Sequence, residues 1–165
     1  MYFMMKIKNC NTIILSGAVG SGKSTALMEW IKNNAACGFI TPTIDSKKML
    51  YNIFNAAYYD YEIEEGKKDS ISIGKYFLSR TAFVIADKII DAAIASACDC
   101  FVLDELGKLE LNEEGHYRGI LNLLHLFKGT LLLVVREQLV NEAIHKFQLE
   151  NCIILNKEEI RNYKL

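Results

Sequence analysis

Apolar and polar positions alternate in two different ways along the chain, and the two patterns follow one another. Short apolar runs rich in β-branched residues predict buried strands, whereas apolar residues spaced three and four apart predict helices. The predicted strands are 12–16, 38–41, 100–103, 130–135 and 152–155, and the predicted helices are 23–33, 80–97, 115–127, 137–148 and 158–165. Because strands and helices alternate, the sequence predicts a three-layer α/β fold with a mostly parallel sheet.

The segment from about 45 to 74 has a different pattern. Apolar residues and tyrosines alternate with polar residues on both sides of the turn-like run 64–69. This spacing predicts an antiparallel hairpin or meander, inserted after the second strand, which ends at Pro42.

Composition narrows the possible partners. The chain has 165 residues, 51% of them hydrophobic, and a net charge of −1. These values suit one globular domain over residues 1–165, and the near-neutral balance makes nucleic acid an unlikely partner. The pairs Lys47-Lys48 and Lys67-Lys68 are interpreted as solvated loop faces.

Cysteine usage and apolar run length bear on the compartment. The five cysteines are odd in number, include no C-x-x-C, and fall mostly in or beside apolar segments. We expect free thiols of a reduced compartment, with neither a disulfide framework nor a zinc site. The N-terminal stretch 1–8 lacks signal-peptide organisation, and no run approaches the roughly 20 apolar residues of a membrane span. We therefore expect a cytoplasmic protein without a membrane partner.

The most informative stretch lies between the first strand and the first helix. It reads Gly17-Ala18-Val19-Gly20-Ser21-Gly22-Lys23-Ser24-Thr25 and completes the pattern G-x-x-x-x-G-K-[ST]. Glycines let such a loop curl its amides around phosphates at a helix N-terminus, where anions are favoured. All nine residues are predicted to bind the phosphates of a nucleoside triphosphate. Lys23 is predicted to reach the β- and γ-phosphates, Ser24 to ligate Mg²⁺, and Thr25 to lie near the α-phosphate.

A second informative stretch follows the strand 100–103. Asp104 ends this apolar run, as a carboxylate that serves Mg²⁺ does in phosphate-loop domains, and Glu105 is placed to orient or deprotonate an attacking water. Arg136 ends the strand 130–135. It would neutralise transition-state charge if that strand lay between the strand 12–16 and the strand 100–103. Otherwise it caps a strand end or pairs with Glu137.

Some aromatic and histidine residues have structural interpretations that compete with functional ones. Trp30 is interpreted as a core residue, and the insertion tyrosines either stack on a nucleobase or pack on a half-exposed sheet face. His116 and His125 are interpreted as surface or edge residues without a catalytic role.

With these motifs located, the chain resembles the small nucleoside-triphosphatase family that includes the cancer-related nucleoside-triphosphatase and its bacterial and archaeal relatives. The Asp-Glu-aliphatic-Gly-x-aliphatic-Glu-Leu run is the most selective feature of the resemblance. The matching segments are 17–25, 37–41, 73–76, 102–111, 135–136 and Asn156.

That resemblance implies a RecA-like core in which the strand before Arg136 separates the phosphate-loop strand from the Asp104 strand. It also implies Mg²⁺-dependent hydrolysis of several nucleoside triphosphates, with metal binding by Ser24 and Asp104 and water activation by Glu105. The chain departs from the family pattern between Thr41 and Ser72, and at Lys157, where relatives often carry arginine.

Two other functions stay open. A small-molecule or nucleotide kinase would use Glu105 to position an acceptor hydroxyl, with Arg80, Arg118 and Arg136 as available cations. A regulatory GTP-binding switch would use Asp104-x-x-Gly107 and the run 156–159, although Glu159 stands where that motif has aspartate and few residues follow it.

Overall fold

The structure is a computed structural model that describes residues 11–73, 76–149 and 151–165. Its strands are β1 (Thr12–Gly17), β2 (Cys37–Ile40), β3 (Thr43–Ile44), β4 (Lys47–Asn52), β5 (Ala57–Asp60), β6 (Ser70–Ile73), β7 (Tyr76–Ser79), β8 (Cys100–Leu106), β9 (Thr130–Arg136) and β10 (Ile153–Leu155). Its helices are α1 (Lys23–Trp30), α2 (Arg80–Ala95), α3 (Lys108–Leu111), α4 (Tyr117–Leu126), α5 (Val140–Phe147) and α6 (Lys157–Asn162), with a 3₁₀ turn at Glu137–Leu139.

The main sheet has a parallel centre. Its strands run in the order β10, β1, β9, β8, β2, and each neighbouring pair is parallel. The strand that ends in Arg136 therefore lies between the phosphate-loop strand and the Asp104 strand, so the implied strand order is confirmed. The carboxyl ends of parallel strands share one edge of a sheet, and that edge is where ligands bind in such folds.

Two apolar layers cover the sheet, which explains the unbroken apolar runs. In β9, Leu131, Leu133 and Val135 face a core built with α2, α4 and α5, and Leu132 and Val134 face a core built with α1 and α6. Strand side chains alternate between faces, so a strand covered on both sides must be apolar throughout. The predicted three-layer α/β class is confirmed.

The predicted antiparallel insertion is confirmed, but it runs from Thr43 to Ser79 and so exceeds its predicted bounds. Strand β4 pairs antiparallel with β2, β3 and β5, and therefore extends the main sheet. Strands β6 and β7 form a separate hairpin. Residues 74 and 75, part of the segment 73–76 that carried the resemblance, lie outside the described residues.

Several predicted boundaries move. The strand predicted at 100–103 continues through Asp104 to Leu106, and the short α3 after it was not predicted. The first helix ends at Trp30, three residues early. Trp30 is buried and donates its indole N–H to the carbonyl of Tyr163 at 2.8 Å, so its interpretation as a core residue is confirmed.

The expectation of free thiols without a disulfide was wrong for two of the cysteines. Cys37 and Cys98 form a disulfide across 61 residues. Parallel pairing of β2 with β8 brings the start of β2 beside the loop before β8, a proximity that no sequence spacing reveals. In the described part of the chain Cys100 and Cys152 keep free thiols, and Cys10 lies outside it.

Helix length bears on the membrane prediction. Among the described residues, none of the helices combines the length and apolar character required to cross a bilayer.

Candidate functional site

The phosphate-loop segment lies at the carboxyl edge of the sheet, between β1 and α1. Gly20 (φ +71°) and Gly22 (φ +89°) adopt left-handed backbone conformations that side chains with a Cβ disfavour. Gly22 precedes α1 without a side-chain cap, so no side chain of the cap residue occupies the first-turn amides. Residues 19–25 line a cavity of about 540 Å³, and amides at such a helix start favour an anion there.

Lys23 is folded back over its own loop. Its Nζ donates to the carbonyls of Gly17 (2.9 Å) and Ala18 (2.6 Å). These two residues, which the sequence suggested as phosphate-binding, thus contact the lysine and do not line the cavity. Burial lowers the pKa of Lys23, while the carboxylate of Asp104 acts in the opposite direction. The ammonium therefore lies over its own loop, beside the cavity that residues 19–25 line.

Asp104 and Ser24, the two residues that the sequence suggested for Mg²⁺, are in direct contact. Asp104 Oδ2 accepts hydrogen bonds from Ser24 Oγ (2.9 Å) and from the backbone N–H of Thr41 (2.9 Å). Asp104 is only 3% exposed. Burial raises the pKa of its carboxyl, and the N–H of Thr41 opposes that effect.

The donors of this pair suit Mg²⁺. Carboxylate and hydroxyl oxygens are the hard ligands that Mg²⁺ prefers, and Mg²⁺ at such sites takes few protein ligands beside phosphate oxygens and water. Across residues 11–73, 76–149 and 151–165 there is no group of three or more His, Cys, Asp or Glu arranged to hold a metal by itself. Ser24 and Asp104 therefore fit a cation that arrives with a nucleotide.

Glu105 enters the same cavity because β8 is irregular at this point. Its φ is +75°, and the pairing of β8 with β9 shifts register between Leu103 and Leu106. Consecutive residues of a regular strand point to opposite faces, yet Asp104 and Glu105 both line the cavity. The irregularity was invisible in the sequence, where the pair suggested only a strand end.

Two cations hold the Glu105 carboxylate. Lys48 Nζ donates to Oε2, and Arg136 Nη2 donates to Oε1 at 3.1 Å. Burial acts to raise the pKa of Glu105, but the charges and hydrogen bonds of Lys48 and Arg136 outweigh it and lower that pKa. Glu105 is therefore an ionised carboxylate with fixed orientation.

Arg136 reaches this position through strand register. It is paired with Gly17 across β1 and β9, which places it beside the start of the loop. Its described ion pair is with Glu105, whereas the sequence had suggested Glu137 as a partner. Arg80 and Arg118, the other cations considered for a kinase, are exposed and do not line the cavity.

Lys48 is the site residue that the sequence did not reveal, and its interpretation as part of a solvated loop face was wrong. It lies on β4, its side chain is 24% exposed, and it reaches Glu105 across 57 residues of sequence. Lys47 is exposed, because neighbouring strand residues point to opposite faces. The alternation of side chains along a strand places the two lysines on opposite faces of the sheet. Only the pairing of β4 with β2 determines which of them reaches the site.

Behind Glu105, a buried carboxylate supports the following turn. Glu110 accepts the backbone N–H of Gly107 (2.9 Å) and that of His116 (3.1 Å) through its two oxygens. His116 is 1% exposed, so its interpretation as a surface or edge residue was wrong. Its ring packs against Phe39 and Phe83, in a core formed by residues distant in sequence. His125 is exposed, as predicted.

Asn156, which a GTP-binding switch would use to read guanine, has a local structural role. Its side-chain oxygen accepts the backbone N–H groups of Glu158 (2.9 Å) and Glu159 (3.0 Å) at the start of α6. The Glu159 carboxylate in turn accepts the Asn156 backbone N–H, which completes a capping box.

Comparison with known proteins places this site in a family. The model of a family described as NTPase matches residues 12–163. No curated protein sequence matches the chain. The crystal structure of THEP1 from the hyperthermophile Aquifex aeolicus superposes with a TM-score of 0.68 at 18% identity, over 88% of each chain. The solution structure of a human cancer-related nucleoside triphosphatase superposes with a TM-score of 0.67 at 19% identity, over 93% of this chain and 92% of that one. The family match covers nearly the whole length and the neighbours share the architecture, so this chain belongs to the P-loop NTPase family.

Proposed function

We propose that this protein hydrolyses nucleoside triphosphates to the diphosphate and inorganic phosphate, with Mg²⁺ as its cofactor. The observation that carries the proposal is the convergence of three groups on one cavity: the phosphate loop, the Ser24–Asp104 pair, and an ionised Glu105. Membership of the NTPase family supports the same reaction.

The α- and β-phosphates bind over the loop amides at the start of α1, with Lys23 turned from its loop carbonyls to phosphate oxygens. Ser24 and Asp104 would hold Mg²⁺, which would supply positive charge to neutralise the phosphates. This arrangement directs the γ-phosphate toward Glu105 and Arg136.

Glu105 orients the attacking water. Each carboxylate oxygen retains lone-pair capacity beside its bond to Lys48 or Arg136, so it can accept a hydrogen bond from water. The water oxygen bonds to the γ-phosphorus, the bond from that phosphorus to the β–γ bridging oxygen breaks, and the water proton passes to Glu105. Arg136, beside the loop, stabilises the charge that develops on the phosphoryl oxygens.

The test is phosphate release from a panel of nucleoside triphosphates with Mg²⁺ and no second substrate. Turnover of several triphosphates supports the proposal. Turnover only after an acceptor is added would replace it with a kinase. Selective binding of guanine nucleotides without appreciable turnover would replace it with a switch.

The role of Glu105 has its own test. Glu105→Gln should lower kcat about a hundredfold or more, the usual scale of a general base, while the nucleotide Kd changes by less than about threefold. Glu137→Gln is the matched control, because Glu137 is an exposed carboxylate next to Arg136 that does not line the cavity. Equal losses of binding and turnover in Glu105→Gln would contradict the assignment.

A further inference from the structure

Lys48 is anchored on regular structure and not on a mobile loop tip. Its backbone N–H donates to Glu62 Oε2 (3.2 Å), and its carbonyl accepts the backbone N–H of Glu62 (2.9 Å). Strand β4 is itself paired with β2, β3 and β5. The insertion therefore presents this ammonium to the cavity from a fixed backbone position.

The ammonium has more donors than Glu105 uses. An ammonium carries three N–H donors. Within the described residues, the contact of Lys48 Nζ is with one oxygen of Glu105. Lys48 also lines the cavity, so its remaining donors can bind a second anion without releasing Glu105.

The charge of the described cavity lining also favours an anion. Among the described residues, the charged lining of the cavity consists of three cations, Lys23, Lys48 and Arg136, and two carboxylates, Asp104 and Glu105. The lining is thus positive by one charge, and without Lys48 it would be neutral. A nucleoside triphosphate with one Mg²⁺ carries a net charge of about −2, which the extra cation complements.

The position of Lys48 selects one part of the nucleotide. In the nucleotide site proposed above, the loop amides bind the α- and β-phosphates. Lys48 comes from β4, which the strand order separates from the phosphate-loop strand β1 by β9, β8 and β2, and its ammonium contacts Glu105 of β8. We propose that Lys48 binds the γ-phosphate and thereby makes this site prefer triphosphates to diphosphates. The proposal rests on the nucleotide site proposed above, and it assigns to the insertion a direct part in substrate selection.

The test compares two ligands in binding titrations with Mg²⁺. One is the β,γ-imidotriphosphate of adenosine or guanosine, which is not hydrolysed, and the other is the matching diphosphate. Lys48→Met should weaken imidotriphosphate binding about ten- to a hundredfold, the scale of one charge-assisted hydrogen bond, and diphosphate binding by less than about twofold. Retained diphosphate binding shows that the variant folds. Lys48→Arg should recover part of the loss.

Lys47→Met is the matched control, since Lys47 is the exposed neighbour on the same strand. It should leave both affinities unchanged. Equal weakening of both ligands by Lys48→Met, or no weakening of either, would overturn the proposal.

A second comparison separates γ-phosphate binding from an action through Glu105. In a Glu105→Gln background, Lys48→Met should still weaken the imidotriphosphate selectively. A loss that vanishes in that background would reduce Lys48 to a residue that only positions Glu105, and would also overturn the proposal.

A failure of the Lys48 proposal can be distinguished from a failure of the proposed hydrolase function. Wild-type protein that binds the imidotriphosphate but does not hydrolyse triphosphates refutes the hydrolase and leaves the Lys48 titrations decisive. Wild-type protein that binds neither ligand refutes both.

Discussion

The burial of His116 makes the stability of this protein depend on pH. Burial lowers the pKa of His116 to about 4, and its Nδ1 has no hydrogen-bond partner within the described residues. In the unfolded chain an imidazole titrates near 6.5. Between these two pH values the unfolded state binds a proton that the folded state does not bind. The contribution of His116 to the free energy of unfolding is therefore fully present above about pH 6.5, and it is lost as the pH falls toward 4.

The size of this effect follows from the two pKa values. A group with a pKa of about 4 in the folded state and about 6.5 in the unfolded state lowers the free energy of unfolding as the pH falls. Relative to pH 8, the loss is about 2 kcal/mol at pH 5 and about 3 kcal/mol at pH 4. Glu110, whose backbone partner is His116, has a pKa raised by burial and acts in the opposite direction. A comparison of two proteins that both keep Glu110 removes that contribution.

His116→Phe provides the comparison, because Phe39, Phe83 and Tyr61 surround the ring and accept an aromatic side chain. The variant leaves the Tyr61 hydroxyl without its contact to Nε2 (3.4 Å), a loss of about 1 kcal/mol that does not vary over this pH range. We therefore expect the free energy of unfolding of wild-type protein to fall by about 2 kcal/mol more than that of the variant between pH 8 and pH 5.

Urea denaturation at several pH values measures this difference. His125→Phe is the control, since His125 is exposed and should give a pH dependence parallel to wild type. Parallel curves for wild type and His116→Phe would refute the reasoning, because His116 would then titrate alike in both states.

Two further predictions concern the fold. Reduction of the Cys37–Cys98 disulfide, which closes a loop of 61 residues, should lower the free energy of unfolding by about 2–4 kcal/mol in urea titrations with and without reductant, and a double serine variant should not respond to reductant. Gly38→Ala should lower thermal stability strongly, by more than about 2 kcal/mol, because a Cβ there would lie 2.1 Å from a carbonyl oxygen of β8 at φ +107°. Gly66→Ala, at φ +78° with open space around it, should cost only about 1 kcal/mol, and equal losses at both glycines would contradict the steric argument.

The elements of the parallel core were predictable because their cause is local. Residues 131–135 are apolar without interruption, and a strand covered on both faces requires that pattern. The phosphate loop was equally readable, since Gly20, Gly22 and Lys23 act within one contiguous stretch.

Features that depend on distant contacts were missed or misinterpreted. Cys37 and Cys98 meet because β2 and β8 pair, and His116 is buried because residues far away in sequence surround it. The continuation of β8 through Asp104 also depends on its neighbour β9, whose ladder persists past the apolar run.

By itself, then, the sequence determined the fold class, the phosphate loop and the acidic pair Asp104-Glu105, because each is encoded by neighbouring residues. Only the tertiary structure decided which cations hold Glu105. Arg136 arrives through the register of β9 against β1, and Lys48 through the antiparallel pairing of the insertion with β2. The interaction between such charges depends on the distance between them in the folded protein. The sequence does not show that a lysine 57 residues away comes into contact with Glu105.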